Sequence, residues 1–417
     1  MKNIKNLSSF SVVFFLALSS FLISYTYYFD HYAVGNALIL NNSQIYNDKT
    51  NLFFLINSNS PSFLFIIINF FIKIGFSTYF TNTLLTFIST LLNLSGIYLI
   101  SKFITSSVFF SLLISLTAVV LQKNFGNIDY PTLMFSPHTN GLIAYSLCTF
   151  IFGLLTLRNL SFAILLSLLL LSIHLIIGLW IFGIIILTLI FTIEKKEIKQ
   201  TLFIFSGLLI VFLFYVHSYT NYIEIPFEFN QKDYDDYFLY IEAHRNNMGN
   251  LGNMYFDYVL KSLILLVFLI LHLKYNSSNT INNNNLFLKI VCLSIIFSGI
   301  IYFAYKTLPQ IFPEIAIRTI PQRFFLIHSI IGYPLIIAII SKFLEKFFIK
   351  RNLNKNYSFR LISIILVLHL IQQSDTLKLR FQNIQIIKND KIEEQLFWSK
   401  FKDIYLDGYI LTSNYLC

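Results

Sequence analysis

Long apolar runs broken by short polar turns dominate the chain, and run length is the first thing that constrains its class. An α-helix needs about 20 residues, at 1.5 Å each, to cross about 30 Å of hydrocarbon. Runs that meet or nearly meet that length occupy 8–28, 80–101, 106–122, 139–157, 201–217, 257–273, 286–305, 322–345 and 358–373. The apolar stretch Ser161 to Ile193 would be about 50 Å long as one helix, too long even when tilted, so it is read as two short spans turning near His174 to Gly178. Pro61 to Ile74 is apolar but about 14 residues long, which suits a re-entrant or interfacial helix rather than a span. The pattern predicts an all-α polytopic membrane protein with about 11 transmembrane helices and a long first external loop containing interfacial helices.

Basic residues give this pattern a direction, because cytoplasmic loops are enriched in Lys and Arg. Lys2, Lys5, Arg158, the Glu194 to Lys199 turn, Lys274, and Lys346, Lys350, Arg351, Lys355 and Arg360 should all lie inside. That holds only if the chain crosses an even number of times between Arg158 and Lys195, and only if 61–74 does not cross. The segment Met1 to Leu22 has a basic start and an apolar stretch. Tyr25-Thr26-Tyr27-Tyr28 offers no small-residue cleavage site, so this segment is read as a retained first span. The expected organisation is a transmembrane domain over 1–372, with external loops at 29–79 and 218–256, and a short external tail over 373–417. The N-terminus is then cytoplasmic. Most acids, among them Asp30, Asp129, Asp233 and Glu242, fall in or beside external loops.

Composition agrees: of 417 residues, 56 % are hydrophobic and 12 % charged. A net charge of +10 would suggest nucleic acid in a soluble protein, but here the cations sit in turns between apolar runs and read as topology signals, so no nucleic-acid partner is expected. Cys148, Cys292 and Cys417 have no spacing that suggests a disulfide framework or a metal knuckle. No P-loop, dinucleotide glycine fingerprint, His-Glu-x-x-His or Gly-x-Ser-x-Gly occurs.

Candidate chemistry therefore lies in the external segments. Asp30-His31 directly follows the first span; an acid there can act as a general base or hold a divalent cation against a phosphate, and the plainer reading is a solvated loop acid beside a Tyr belt. His174 can meet a phosphate or sugar hydroxyl. The plainer alternative is that His174 caps a tight turn, Gly178 permits the bend and Trp180 anchors at the interface. His244 and Arg245 stand in the loop Ser218 to Tyr255, a mixture of charges suited to a hydroxyl-rich or anionic acceptor, or simply to a solvated loop. Arg318 and Arg323 flank Pro321 at the start of a span, where arginine pairs with an anion or snorkels to head groups.

An acid right after span one, Tyr46 and Asp48 further on, and Pro61 opening an apolar segment resemble the GT-C superfamily of polyprenyl-phosphate-sugar-dependent glycosyltransferases. The likeness covers most of the chain as topology. It implies a GT-C-like fold, a polyprenyl-phosphate-linked sugar donor, an acceptor that is a glycan, lipid or protein, and a bacterial inner membrane with its lipids as surroundings. Asp30 matches the family's first-loop acid, and Asp129-Tyr130-Pro131 before Pro137-His138 resembles its second external loop. The resemblance then gives Asp30 and His31 the catalytic role, and Arg318 and Arg323 the donor phosphate. Asp129, His138, His174, His244 and Arg245 fall to the acceptor. His31 stands where the family's better-known pattern has a second acid, which leaves open a Mg or Mn ion at Asp30. Two other readings stay open: an O-antigen-type polymerase or ligase centred on Ser218 to Tyr255, and a lipid or solute transporter or flippase.

Overall fold

The computed structural model describes residues 9–26, 31–41, 62–122, 135, 139–192, 198–220, 252–276, 286–307, 323–352, 354 and 356–373. The chain divides into two compact units, Met1–Ile371 and Gln372–Cys417. Among the described residues every regular element is an α-helix: α1 Ser9–Thr26, α2 Tyr32–Asn41, α3 Phe63–Lys73, α4 Thr78–Thr105, α5 Val108–Leu121, α6 Asn140–Thr156, α7 Leu160–Ile173, α8 Leu175–Thr192, α9 Ile198–Thr220, α10 Gly252–Asn276, α11 Leu286–Thr307, α12 Arg323–Lys350 and α13 Asn356–Gln372.

Each of the predicted apolar runs is helical over most of its described residues. Among the described residues, five helices are long and apolar enough to cross a membrane: α1, α4, and the segments Phe256–Lys274, Leu286–Ala304 and Phe324–Lys350 of α10, α11 and α12. Their outer faces remain apolar in the folded chain, with Phe10 78 %, Phe256 68 % and Phe303 68 % exposed, and α9 and α13 present Phe212, Leu213, Ile364 and Leu368 in the same way. Apolar surface on this scale is stable against hydrocarbon and not against water. This is the architecture of a helical membrane protein.

Among the buried Leu, Ile and Phe side chains, small and polar residues bring the helices close, as expected where lipid removes the hydrophobic drive for helices to associate. Gly96 of α4 faces α6 so closely that a Cβ there would lie 2.3 Å from the Thr149 carbonyl oxygen, and one at Gly153 would lie 3.0 Å from the Gly96 Cα. Ser89 Oγ donates to Ser146 Oγ at 2.7 Å across the same pair, and Ser115 Oγ of α5 donates to the Leu94 carbonyl at 2.7 Å.

Turn chemistry sets the hairpins. Ser107 Oγ accepts from the Phe110 N–H and caps α5, and Asn159 Oδ1 accepts from the Phe162 N–H and caps α7. Ser106 and Arg158 take left-handed φ values of 56° and 57° at these turns. The long 161–193 run is broken, as expected, at His174, whose φ of −150° and ψ of 98° are extended. The chain then doubles back, because a Cβ at Gly178 would lie 2.5 Å from the Leu171 backbone. The glycine therefore serves close helix approach, while the bend itself is at His174. Trp180 departs from expectation. It is buried, stacked on Phe324 with ring centroids 4.3 Å apart, because α12 packs against α8 at this level.

Among the described residues of the expected first external loop, 29–79, there are two short helices, α2 and α3. α3, with 11 residues, is about 16 Å long, well under the hydrocarbon thickness. It pairs with α2 by packing Leu64, Phe65 and Ile68 on Ala33, Val34 and Ala37, and the pair seats on Leu85 of α4 and Ile143 of α6.

Candidate functional site

Five helix ends meet where α2 and α3 seat on the bundle. His31 begins α2: its carbonyl accepts from the Val34 N–H at 2.9 Å, and its Nδ1 accepts from the Ala33 N–H at 3.0 Å. Its own N–H donates to Asn82 Oδ1 of α4 at 2.9 Å, and the residue is 1 % exposed. With Nδ1 accepting, the neutral ring carries its proton on Nε2 and is a donor there. His31 is thus a buried helix cap. As hydrogen-bonded, it offers no lone pair to a cation, so it does not fit as a metal ligand beside Asp30, and no step below runs through a metal.

Ser62 is the N-cap residue of α3, but its side chain makes no capping bond. Its Oγ donates instead to the Ile173 carbonyl at the end of α7, at 3.4 Å, and accepts from Asn140 Nδ2 at the start of α6, at 3.2 Å. The ring of His174 lies over the first turn of α6, where a Cβ at Gly141 would sit 3.7 Å from His174 Cδ2 and Nε2. His174 also accepts at Nδ1 from the Ile177 N–H at 3.5 Å and so caps α8. The end of α9 joins through Tyr215 Oη, which donates to the Leu171 carbonyl at 3.3 Å, and through an edge contact of Phe214 with Phe63.

The start of α12 belongs to the same end of the bundle. Phe324 stacks on Trp180, six residues past His174. Ser262 meets His328 and His272 lies near Lys342 and Lys346, so α10 runs parallel to α12, whereas Ser294 meets His328 and Tyr302 meets Phe325, so α11 runs antiparallel. Asp30, Asp129, His138, His244, Arg245, Arg318 and the side chain of Arg323 lie outside the described residues. The described residues that flank them in sequence all stand at this end: His31, Thr139, Thr220, Gly252 and the first turn of α12. Of the candidates, the side chains of His31 and His174 are described, each capping the start of a helix.

The opposite end of the bundle is basic. Lys102, Arg158, Lys274, Lys342, Lys346, Lys350, Arg351 and Arg360 fall at the far ends of α4, α6, α10, α12 and α13. Lys342 pairs there with Glu345 at 2.8 Å. Among the described residues no group of three or more His, Cys, Asp or Glu side chains gathers as a metal site.

Sequence reading missed Ser62, Asn82 and Asn140. A Ser or Asn at the edge of an apolar run carries no pattern of its own, and only the fold shows that these three tie the α2–α3 pair to α4, α6 and α7. Compared with protein-family models, with curated proteins and with solved structures, the chain matches none.

Proposed function

We propose that this chain is a membrane glycosyltransferase that moves a sugar from a polyprenyl-phosphate donor to an extracytoplasmic acceptor, in a GT-C-like arrangement of about eleven spans. The observation that carries the reading is the convergence at one bundle end of the short α2–α3 pair, the His174 break and the start of α12, with the chain segments that bear the candidate acid and arginines entering there. The concentration of Lys and Arg at the other end supports a cytoplasmic assignment for that end.

In this scheme Asp30, one residue before the buried His31 cap, takes the proton of an acceptor hydroxyl. The acceptor oxygen bonds to the anomeric carbon while the bond from that carbon to the phosphate oxygen breaks, and the electron pair leaves with the lipid phosphate. Arg318 and Arg323 stabilise the charge that develops on it. Removing one such positioned contact costs about 10²–10³ in rate at well-studied oxyanion sites. His31 caps α2 and so fixes the chain beside Asp30, and the His174 ring, over the first turn of α6, lies near the sugar or phosphate oxygens.

The test is turnover of a polyprenyl-phosphate-linked sugar by the purified chain in proteoliposomes. Asp30→Asn should abolish turnover and leave membrane insertion intact, and Arg323→Gln should lower it by about 10²-fold or more. Turnover that survives Asp30→Asn and is lost on Arg245→Gln would transfer the reaction to the 218–256 segment and defeat the proposal.

A further inference from the structure

Pro334 lies inside α12. It has no N–H for the carbonyl four residues earlier, that of Ile330, and in an apolar interior an unanswered carbonyl is costly. That carbonyl is answered from another helix: Gln122, the residue that closes α5, donates to it from Nε2 at 3.0 Å. Gln122 Oε1 in turn accepts from Asn93 Nδ2 of α4 at 3.4 Å, and both side chains are fully buried. One residue before the proline, the Tyr333 hydroxyl and Thr117 Oγ1 of α5 share a bond of 2.7 Å.

The helix is weak at this place. Gly332 is a poor helix former with open space where a side chain would stand, and Pro334 removes a backbone bond two residues later. The two parts of α12 share α10, since Ser262 bonds to His328 before the proline and His272 lies near Lys342 and Lys346 after it, but their other partners differ. Before the proline, Phe324 stacks on Trp180 of α8, and His328 bonds to Ser262 of α10 at 3.3 Å and to Ser294 of α11 at 3.1 Å. After it, Lys342 lies over the Phe359 ring of α13 at 5.9 Å.

We propose that Gly332 to Pro334 is a hinge and that Gln122 is its clasp. The Gln122 amide holds the segment Arg323–Tyr333 against α4 and α5. When that bond opens, the segment pivots against the part of α12 that follows the proline. The hinge stands independently of the proposed reaction, although in that reaction it would move the start of α12, where Arg323 sits, relative to the α2–α3 end.

Hydrogen exchange read by mass spectrometry on the purified full-length chain in detergent tests this with four proteins: wild type, Gln122→Leu, Pro334→Ala and the double variant. Gln122→Leu should speed exchange about tenfold or more across Phe324 to Tyr333, the effect of leaving a buried carbonyl without its donor, while 335–350 and α4 keep wild-type rates. Pro334→Ala restores the N–H for Ile330 and should slow exchange in the same segment. The double variant should then resemble Pro334→Ala alone, because the clasp is no longer needed. Faster exchange spread evenly over the whole chain on Gln122→Leu, or an equal Gln122→Leu effect with and without Pro334, overturns the proposal. Should Gln122→Leu fail to fold, Pro334→Ala decides alone: unchanged exchange over 324–333 defeats the hinge.

Discussion

The close approach of α4 and α6 at Gly96 makes a sharp prediction about a single methyl group. A Cβ there would lie 2.3 Å from the Thr149 oxygen, 2.5 Å from its carbonyl carbon and 2.8 Å from the Phe150 nitrogen. All three are backbone atoms, so no side-chain rotation relieves the contact, and the helices must part by roughly 1 Å along a seam where interior packing is otherwise tight. Overpacking of this kind costs about 1–3 kcal/mol. Alanine in place of glycine in a helix returns about 0.8–1.0 kcal/mol through propensity. Gly183 of α8 is the matched control, since nothing lies within 4 Å of its Cβ position and only the propensity gain applies. Gly96→Ala should therefore be less stable than Gly183→Ala by about 2 kcal/mol, roughly thirtyfold in the unfolding constant. The assay is loss of helical circular dichroism in mixed micelles titrated with sodium dodecyl sulfate. Equal midpoints for the two variants would refute the packing of α4 on α6.

Three further outcomes follow from the candidate site. Gly178→Ala should destabilise by about 1–3 kcal/mol, because its Cβ would meet the Leu171 backbone at 2.5 Å and force α7 and α8 apart; the same titration checks it. Ser62→Ala removes the bonds to Ile173 and Asn140, and should loosen the α2–α3 pair at a cost of about 1–3 kcal/mol, seen as faster proteolysis near α3 with the long helices still protected. His31→Ala should cost about 1 kcal/mol of stability through loss of the α2 cap, whereas His31→Asn keeps a capping acceptor and should restore most of it.

The helices were legible because an apolar run needs no partner to be recognised. That the 161–193 run breaks near His174 to Gly178 was readable from its length and from the basic residues Arg158 and Lys195 on either side, since one helix there is too long for a bilayer. α2 was not separately readable: Tyr32 to Asn41 is short and holds Gly35 and Asn36, and its helix rests on α3, Leu85 and Ile143 rather than on its own propensity. His31 and His174 stood out as imidazoles beside predicted spans, but their capping geometry depends on chain turns that no spacing reveals. Trp180 illustrates the limit. A tryptophan near a predicted helix end suggests an interface anchor, and its true partner, Phe324, comes from a helix more than a hundred positions later. The Gln122 to Ile330 bond is similar in kind: Pro334 announces a free carbonyl in the sequence, while the donor that answers it is visible only in the fold.

The measurement that bears most directly on the central claim is photo-crosslinking with a diazirine-bearing polyprenyl phosphate in proteoliposomes, followed by peptide mapping. The account predicts label on the α3 segment Phe63–Lys73, on the first turns of α6 and α8 and on the start of α12, with competition by unmodified polyprenyl phosphate. Label distributed over the exposed faces of α1, α10 and α13, or concentrated at the basic end near Arg158 and Lys350, would contradict it.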